Sequence, residues 1–150
     1  MFKNILLPTD GSNLSEDAIR KGILFAREQN SRVIGLYVIP EPTPGDIWDV
    51  WSPDSEEGKV FKAKFESQLE CVARNYLKVV EEIAQGAGVS CESLYLKGIS
   101  PSDGILKVAK ERNCDLIFMA SHGRTGMRAA LGSVTLKVLA GSGVPVLVYR

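Results

Sequence analysis

A chain of 150 residues is the length of one domain, long enough to bury a core without staples. Its 45% hydrophobic and 24% charged residues are those of an ordinary globular protein. Eighteen Lys and Arg cancel eighteen Asp and Glu, which argues against a surface built for the DNA backbone and leaves a local site for one small anion open.

Phe2 to Leu7 is a short apolar run that stops at Pro8-Thr9-Asp10-Gly11, the pattern of a buried strand feeding a polar loop. Ser12 to Asn30 reads as a helix, with Ala18, Ile19, Gly22, Ile23 and Ala26 on one stripe and Ser12 or Ser15 as its cap. Gly22 within that stripe predicts close approach to a sheet. Val33 to Ile39 is a second buried strand, ended by Pro40. Glu41 to Ser55 holds three prolines, Gly45, Trp48 and Trp51, and is a loop of the length that is uncommon unless functional.

Ser55 to Gln85 predicts a long helix on the spacing of Phe65, Leu69, Val72, Tyr76, Val79 and Ile83, closed by Gly86 and Gly88. Val89 to Lys97 alternates like an edge strand. Ser100-Pro101-Ser102-Asp103 is a helix start, with a Ser cap, Pro in the first turn and an acid three residues on. That helix runs to about Asn113. Cys114 to Ala120 is apolar on both faces and predicts a central strand. A glycine-containing loop leads to a short helix, Ser133 to Ala140, and Val144 to Tyr149 is a last strand. The alternation predicts an α/β domain spanning 1–150, with a parallel sheet and helices on both faces.

No apolar run approaches the ~20 residues of a membrane span, and Pro8 and Asp10 come too early for a signal peptide. Cys71, Cys91 and Cys114 are widely spaced and form no C-x-x-C pair, so reduced thiols in a cytoplasmic chain are expected.

In such sheets a ligand sits beyond the carboxyl ends of the strands, where strand order reverses. The segment Ser121 to Ser133 carries three glycines and free backbone N–H groups suited to phosphate, or it is merely a turn with a Ser cap. Asp10 either orders its own turn or accepts hydrogen bonds from a ligand. Arg124 and Arg128 are either phosphate partners or solvated, and Trp48 and Trp51 either cover a ligand or pack on the long helix. No Walker A, dinucleotide or nucleophile-elbow motif is present, and His122 is the single histidine, which leaves a catalytic triad around Ser121 unassembled. No catalytic residue and no metal ligand is assigned.

Taken together, ILLPTDGS, LYVI, DLIFMASHGRTG, LGSV and VPVLV resemble the universal stress protein family from end to end. The resemblance implies a doubly wound five-stranded sheet of order 3-2-1-4-5. It implies a homodimer through the last strand, Val144 to Tyr149, and in one branch an ATP site with magnesium held through the phosphates. Carried over, the nucleotide set is Pro8, Thr9, Asp10, Val38, Met119, Ala120, Gly123, Gly132, Ser133 and Val134. Ala120 stands where that branch has its first glycine, which would set a methyl near the ligand. Eight residues, rather than nine, separate Gly123 from Gly132. The implied function is that of a dimeric stress-response regulator or sensor binding an adenine nucleotide, with an unknown protein partner, no nucleic acid and no membrane, and at most slow ATP hydrolysis. Two other readings remain at this point: an interaction protein of the same fold without nucleotide, and a flavin carrier on a similar sheet.

Overall fold

A computed structural model describes residues 1–41, 54–123 and 130–150. Trp48, Trp51, Arg124 and Arg128 lie outside the described residues. The elements in chain order are β1 (Asn4–Thr9), α1 (Asn13–Gln29), β2 (Arg32–Val38), α2 (Glu56–Ala87), β3 (Cys91–Leu96), α3 (Pro101–Glu111), β4 (Leu116–Ala120), α4 (Ser133–Gly141) and β5 (Val146–Tyr149). All strand pairs are parallel, in the order β3-β2-β1-β4-β5. The predicted doubly wound sheet is therefore the observed one, with β3 and β5 at its edges.

Alternation along the central strands sends side chains into two cores. Ile5, Leu7, Leu116 and Phe118 pack with α1 and α2 on one face, and Leu6, Ile117 and Met119 pack with α3 and α4 on the other. Ile5, Leu6 and Leu7 are fully buried, and each such side chain contributes roughly 1.5–3 kcal/mol by burial. Gly22 does what its place predicted: a Cβ there would lie 2.6 Å from Leu7 Cδ2 and meet the Phe118 ring, so only glycine lets α1 lie this close to β1 and β4.

At the amino end of β1, Asp115 accepts from the backbone N–H groups of Lys3 (2.8 Å) and Asn4 (3.1 Å). The carboxylate thus clamps residues more than 110 positions away in the chain.

Most element ends differ from the sequence expectation by one or two residues, and two boundaries and one stripe bear on the site. β1 continues through Pro8 and Thr9, while β2 ends at Val38, with Ile39 still donating to Leu96 of β3. In the second half of α2 the buried positions are Ala73, Leu77, Val80 and Ala84, one register away from the predicted stripe; Val72 is 39% exposed. Small Ala73 and Ala84 let the helix lie low on the sheet, where Val80 closes on Gly35, and the larger Tyr76, Val79 and Ile83 flank the contact. Size matching outweighs side-chain bulk here.

Three helices start on a serine that accepts from a backbone N–H three residues on: Ser12 from Ser15, Ser55 from Gly58 and Ser100 from Asp103. The fourth, α4, starts on Gly132 and has no side-chain cap.

Candidate functional site

The site begins with a missing hydrogen-bond donor. The Asn4 carbonyl accepts from Asp115, so even-numbered residues of β1 face β4. Pro8 falls on that side and has no N–H to donate. The paired positions of β1 and β4 are Ile5↔Leu116 and Leu6↔Ile117, and beyond them the strands separate. A cleft of about 570 Å³ opens there, at the carboxyl ends of β1, β2 and β4. It is the switch point at which strand order reverses.

One wall of the cleft is the turn after β1. Gly11, at φ +77°, donates to Thr9 Oγ1 (3.1 Å), and Ser15 Oγ donates to the same oxygen (3.0 Å). Asp10 N–H donates to Ser15 Oγ (3.3 Å), while Asp10 Oδ1 accepts from Ser12 N–H (2.9 Å). A Cβ on Gly11 would enter the Tyr76 ring of α2, so both the left-handed backbone and the ring demand glycine. Asp10 Oδ2 lies against Gly123 across the cleft, so that a Cβ on Gly123 would displace the carboxylate.

The facing wall is the link from β4 to α4. Ser121 N–H donates to the Tyr149 carbonyl and the Ser121 carbonyl accepts from Gly132 N–H, both at 2.8 Å. Gly132 lies so close that a Cβ would come 3.2 Å from His122 Cα. Thr135 Oγ1 donates to the Ala120 carbonyl (3.0 Å) and ties the first turn of α4 to the strand end. The floor is apolar, formed by Val38, Met119 and Ile105; a Cβ on Gly104 would lie 2.8 Å from Val38 Cγ2, which brings α3 down onto β2.

Ala120 lines the cleft, yet its methyl belongs to the core. Met119 points to the α3/α4 side, where the floor lies, and alternation sends the Ala120 methyl to the other face, against the core under α1 and α2. Only two described non-glycine residues, Asn30 and Asn113, have positive φ, so Ala120 carries no left-handed strain either.

All ten residues named from the sequence line this one cleft. It also takes in Ser15, Tyr37, Pro101, Ile105, His122 and Thr135, which were not named as ligand residues. Pro101 and Ile105 were findable, because an N1 proline one turn before an apolar stripe marks a helix start aimed at the strand ends. Tyr37 and Thr135 carry no such mark. The thiols that burial pushes up to about 11, Cys91 and Cys114, lie at the amino ends of β3 and β4, away from the cleft. Among the described residues no cluster of three or more His, Cys, Asp or Glu gathers, and no helix is long and apolar enough to cross a membrane.

The profile of the universal stress protein family matches residues 1–150. The chain belongs to the universal stress protein family. Universal stress protein MJ0531 of Methanocaldococcus jannaschii is 32% identical over 158 residues, with 100% of this chain and 83% of that protein covered. The solved structure of MJ0577, a universal stress protein from the same organism, superposes with a TM-score of 0.80 at 32% identity, covering 99% of this chain and 95% of that one. At 20% identity and a TM-score of 0.64, a universal stress protein from Archaeoglobus fulgidus in complex with dAMP shares the fold, covering 100% of this chain and 98% of its own.

Proposed function

We propose that this universal stress protein binds an adenine nucleotide, ATP in particular, in the cleft between β1 and β4, and acts as a dimeric regulator or sensor. The observation that carries the reading is the pairing of an apolar slot with two polar walls. The N–H groups of Ser133, Val134 and Thr135, the first turn of a helix without a side-chain cap, have no intrahelical acceptor and suit phosphate oxygens. Gly132 N–H is not among them, since it is held by Ser121.

At the other end of the slot, the base meets Val38. Arg32 donates to Lys3 of β1, so alternation turns the Val38 backbone toward β1 as well. In a parallel ladder its carbonyl would accept from Gly11 N–H, which is instead given to Thr9 Oγ1. The Val38 carbonyl is thereby left for an exocyclic amine such as that of adenine. Asp10, held open by Ser12, faces the ribose hydroxyls. Magnesium, where it accompanies ATP, is held through the phosphates. That the A. fulgidus protein of this fold binds dAMP supports the class of ligand.

Neither wall presents an activated nucleophile, so turnover is expected below the ~1 s⁻¹ of slow enzymes. The dimer forms through β5, an edge strand whose outer side has no partner strand in the sheet, and α4 exposes Leu136 and Leu139 as well. Leu147→Lys should give monomer or insoluble protein where the wild type elutes at twice the chain mass. Calorimetry with ATP, ADP and AMP tests the nucleotide: micromolar binding is expected, strengthened by phosphates and weakened at least tenfold by Asp10→Ala. If millimolar ATP releases no heat and leaves the melting temperature unchanged, the nucleotide reading falls and an interaction protein takes its place.

A further inference from the structure

His122 is the only histidine in the chain, and it lines the cleft beside Gly123 and Gly132. Its Nδ1 lies 3.0 Å from Ser121 Oγ. Ser121 is 1% exposed, and among the described residues its hydroxyl has no other partner. A buried hydroxyl proton needs an acceptor. If Nδ1 carried the proton, Ser121 Oγ would accept and its own proton would have nowhere to go. With Ser121 donating to Nδ1, both groups are satisfied and the ring proton sits on Nε2.

Ser121 can do this because its backbone is fixed at both ends, by Tyr149 and by Gly132. Gly132 also packs on the His122 backbone, at a distance no side chain would tolerate without a shift. The imidazole therefore hangs next to a hydrogen-bonded backbone with its tautomer set by a neighbour, and Nε2, on the edge away from Ser121, has no partner among the described residues. Gly132, at the start of α4, lies against the His122 Cα and Cβ, and the same cleft takes in Gly123 and the first turn of α4.

Resting on the nucleotide reading, we propose that His122 is a phosphate-recognition residue, which donates Nε2–H to the phosphate chain and is held in that tautomer by Ser121. It discriminates phosphorylated ligands from the bare nucleoside. A neutral donor suits this place, because the helix N–H groups already supply the positive end of a dipole, and a hydrogen bond adds direction to it.

The test uses wild-type protein and three variants, His122→Ala, His122→Gln and Ser121→Ala, with adenosine, AMP and ATP as ligands. His122→Ala should weaken ATP about tenfold, the worth of one hydrogen bond to a charged group, and leave adenosine within twofold. His122→Gln, which keeps a donor, should recover most of the loss, and Ser121→Ala should lose a smaller part of it. Because there is one histidine, long-range ¹H–¹⁵N spectra of the wild type show one imidazole, so the proposal does not depend on the variants folding. The expected pattern is the Nε2–H tautomer, with the Nε2 resonance moving on addition of ATP and staying put with adenosine. An Nδ1–H tautomer, an Nε2 resonance indifferent to ATP, or equal losses for ATP and adenosine in His122→Ala would overturn the assignment while leaving nucleotide binding in place. Wild-type protein that binds neither ATP nor adenosine would overturn both.

Discussion

Helices α1 and α4 follow the two central strands and begin at the same end of the sheet, yet they start in opposite ways. At α1 the polar groups answer one another: Ser12 caps Ser15, Asp10 accepts from Ser12, and Thr9 collects two donors. At α4 the cap is Gly132, whose backbone is tied to Ser121 and whose missing side chain satisfies nothing. The first turn is a finished piece of scaffold and the second is an unfinished one. A phosphate can complete the second at little cost, whereas at the first it would have to displace a working cap. In the proposed nucleotide site, the Asp10 turn would give shape and ribose contacts and the start of α4 would take the charge.

Substitutions at the two starts separate these roles. The largest effect should come from Gly11→Ala, which forces a Cβ into the Tyr76 ring and an alanine into the left-handed region; about 3 kcal/mol is expected, read as a melting temperature lowered by roughly 10 °C. If Gly11→Ala melts like the wild type, the turn after β1 is not scaffold at all. Gly132→Val should fold with a smaller loss and weaken ATP tenfold or more, about 1.4 kcal/mol, by calorimetry; unaltered ATP affinity would remove α4 from the ligand. Ser12→Ala removes only a cap and should cost about 1 kcal/mol in denaturant unfolding with ATP affinity within twofold. A loss of ATP binding in that variant would mean that the two starts are not separate in function. The smallest change is expected of Ala120→Gly, which restores the glycine of the ATP-binding branch. Its methyl faces the far side of the sheet, so affinity should stay within twofold and stability fall by about 0.5–1 kcal/mol. An ATP affinity several-fold higher in the glycine variant would put the methyl back beside the ligand.

The sequence made the sheet legible because period and length agreed at nearly every element, and the alternation of strand and helix admits few topologies. The same alternation marked the loops at the carboxyl ends of the strands, and the strand order that picks out the β1/β4 crevice came with the family resemblance. Side-chain direction at a strand end escaped it. Whether Ala120 faces the ligand or the core depends on the phase of a five-residue strand, and phase is set by pairing with β1 and β5 rather than by local composition. The stripe of α2 was misplaced by one register for a related reason. Bulky residues draw attention in a sequence, but Ala73 and Ala84 touch the sheet because it leaves no room for more. The role of Pro8 was hidden similarly: a proline after an apolar run reads as a stop, and only the pairing shows that its absent N–H lies on the side where two strands part.

The position of β1 in the middle of the sheet has a consequence for how the chain folds. On a ribosome, β1, α1, β2, α2 and β3 emerge first and can pair as a three-stranded unit in the order 3-2-1. The β4 flank of β1 then stays an open edge until the residues near Asp115 have left the exit tunnel, because that carboxylate holds the Lys3 and Asn4 amides. Contacts of such sequence separation are slow to close. The nascent chain thus carries an apolar, unpaired edge for most of its synthesis, and a chain stopped before Asp115 keeps it permanently. Proteins with exposed edges of this kind are prone to pair with one another. The strand that later borders the cleft keeps this open flank until the last quarter of the chain arrives.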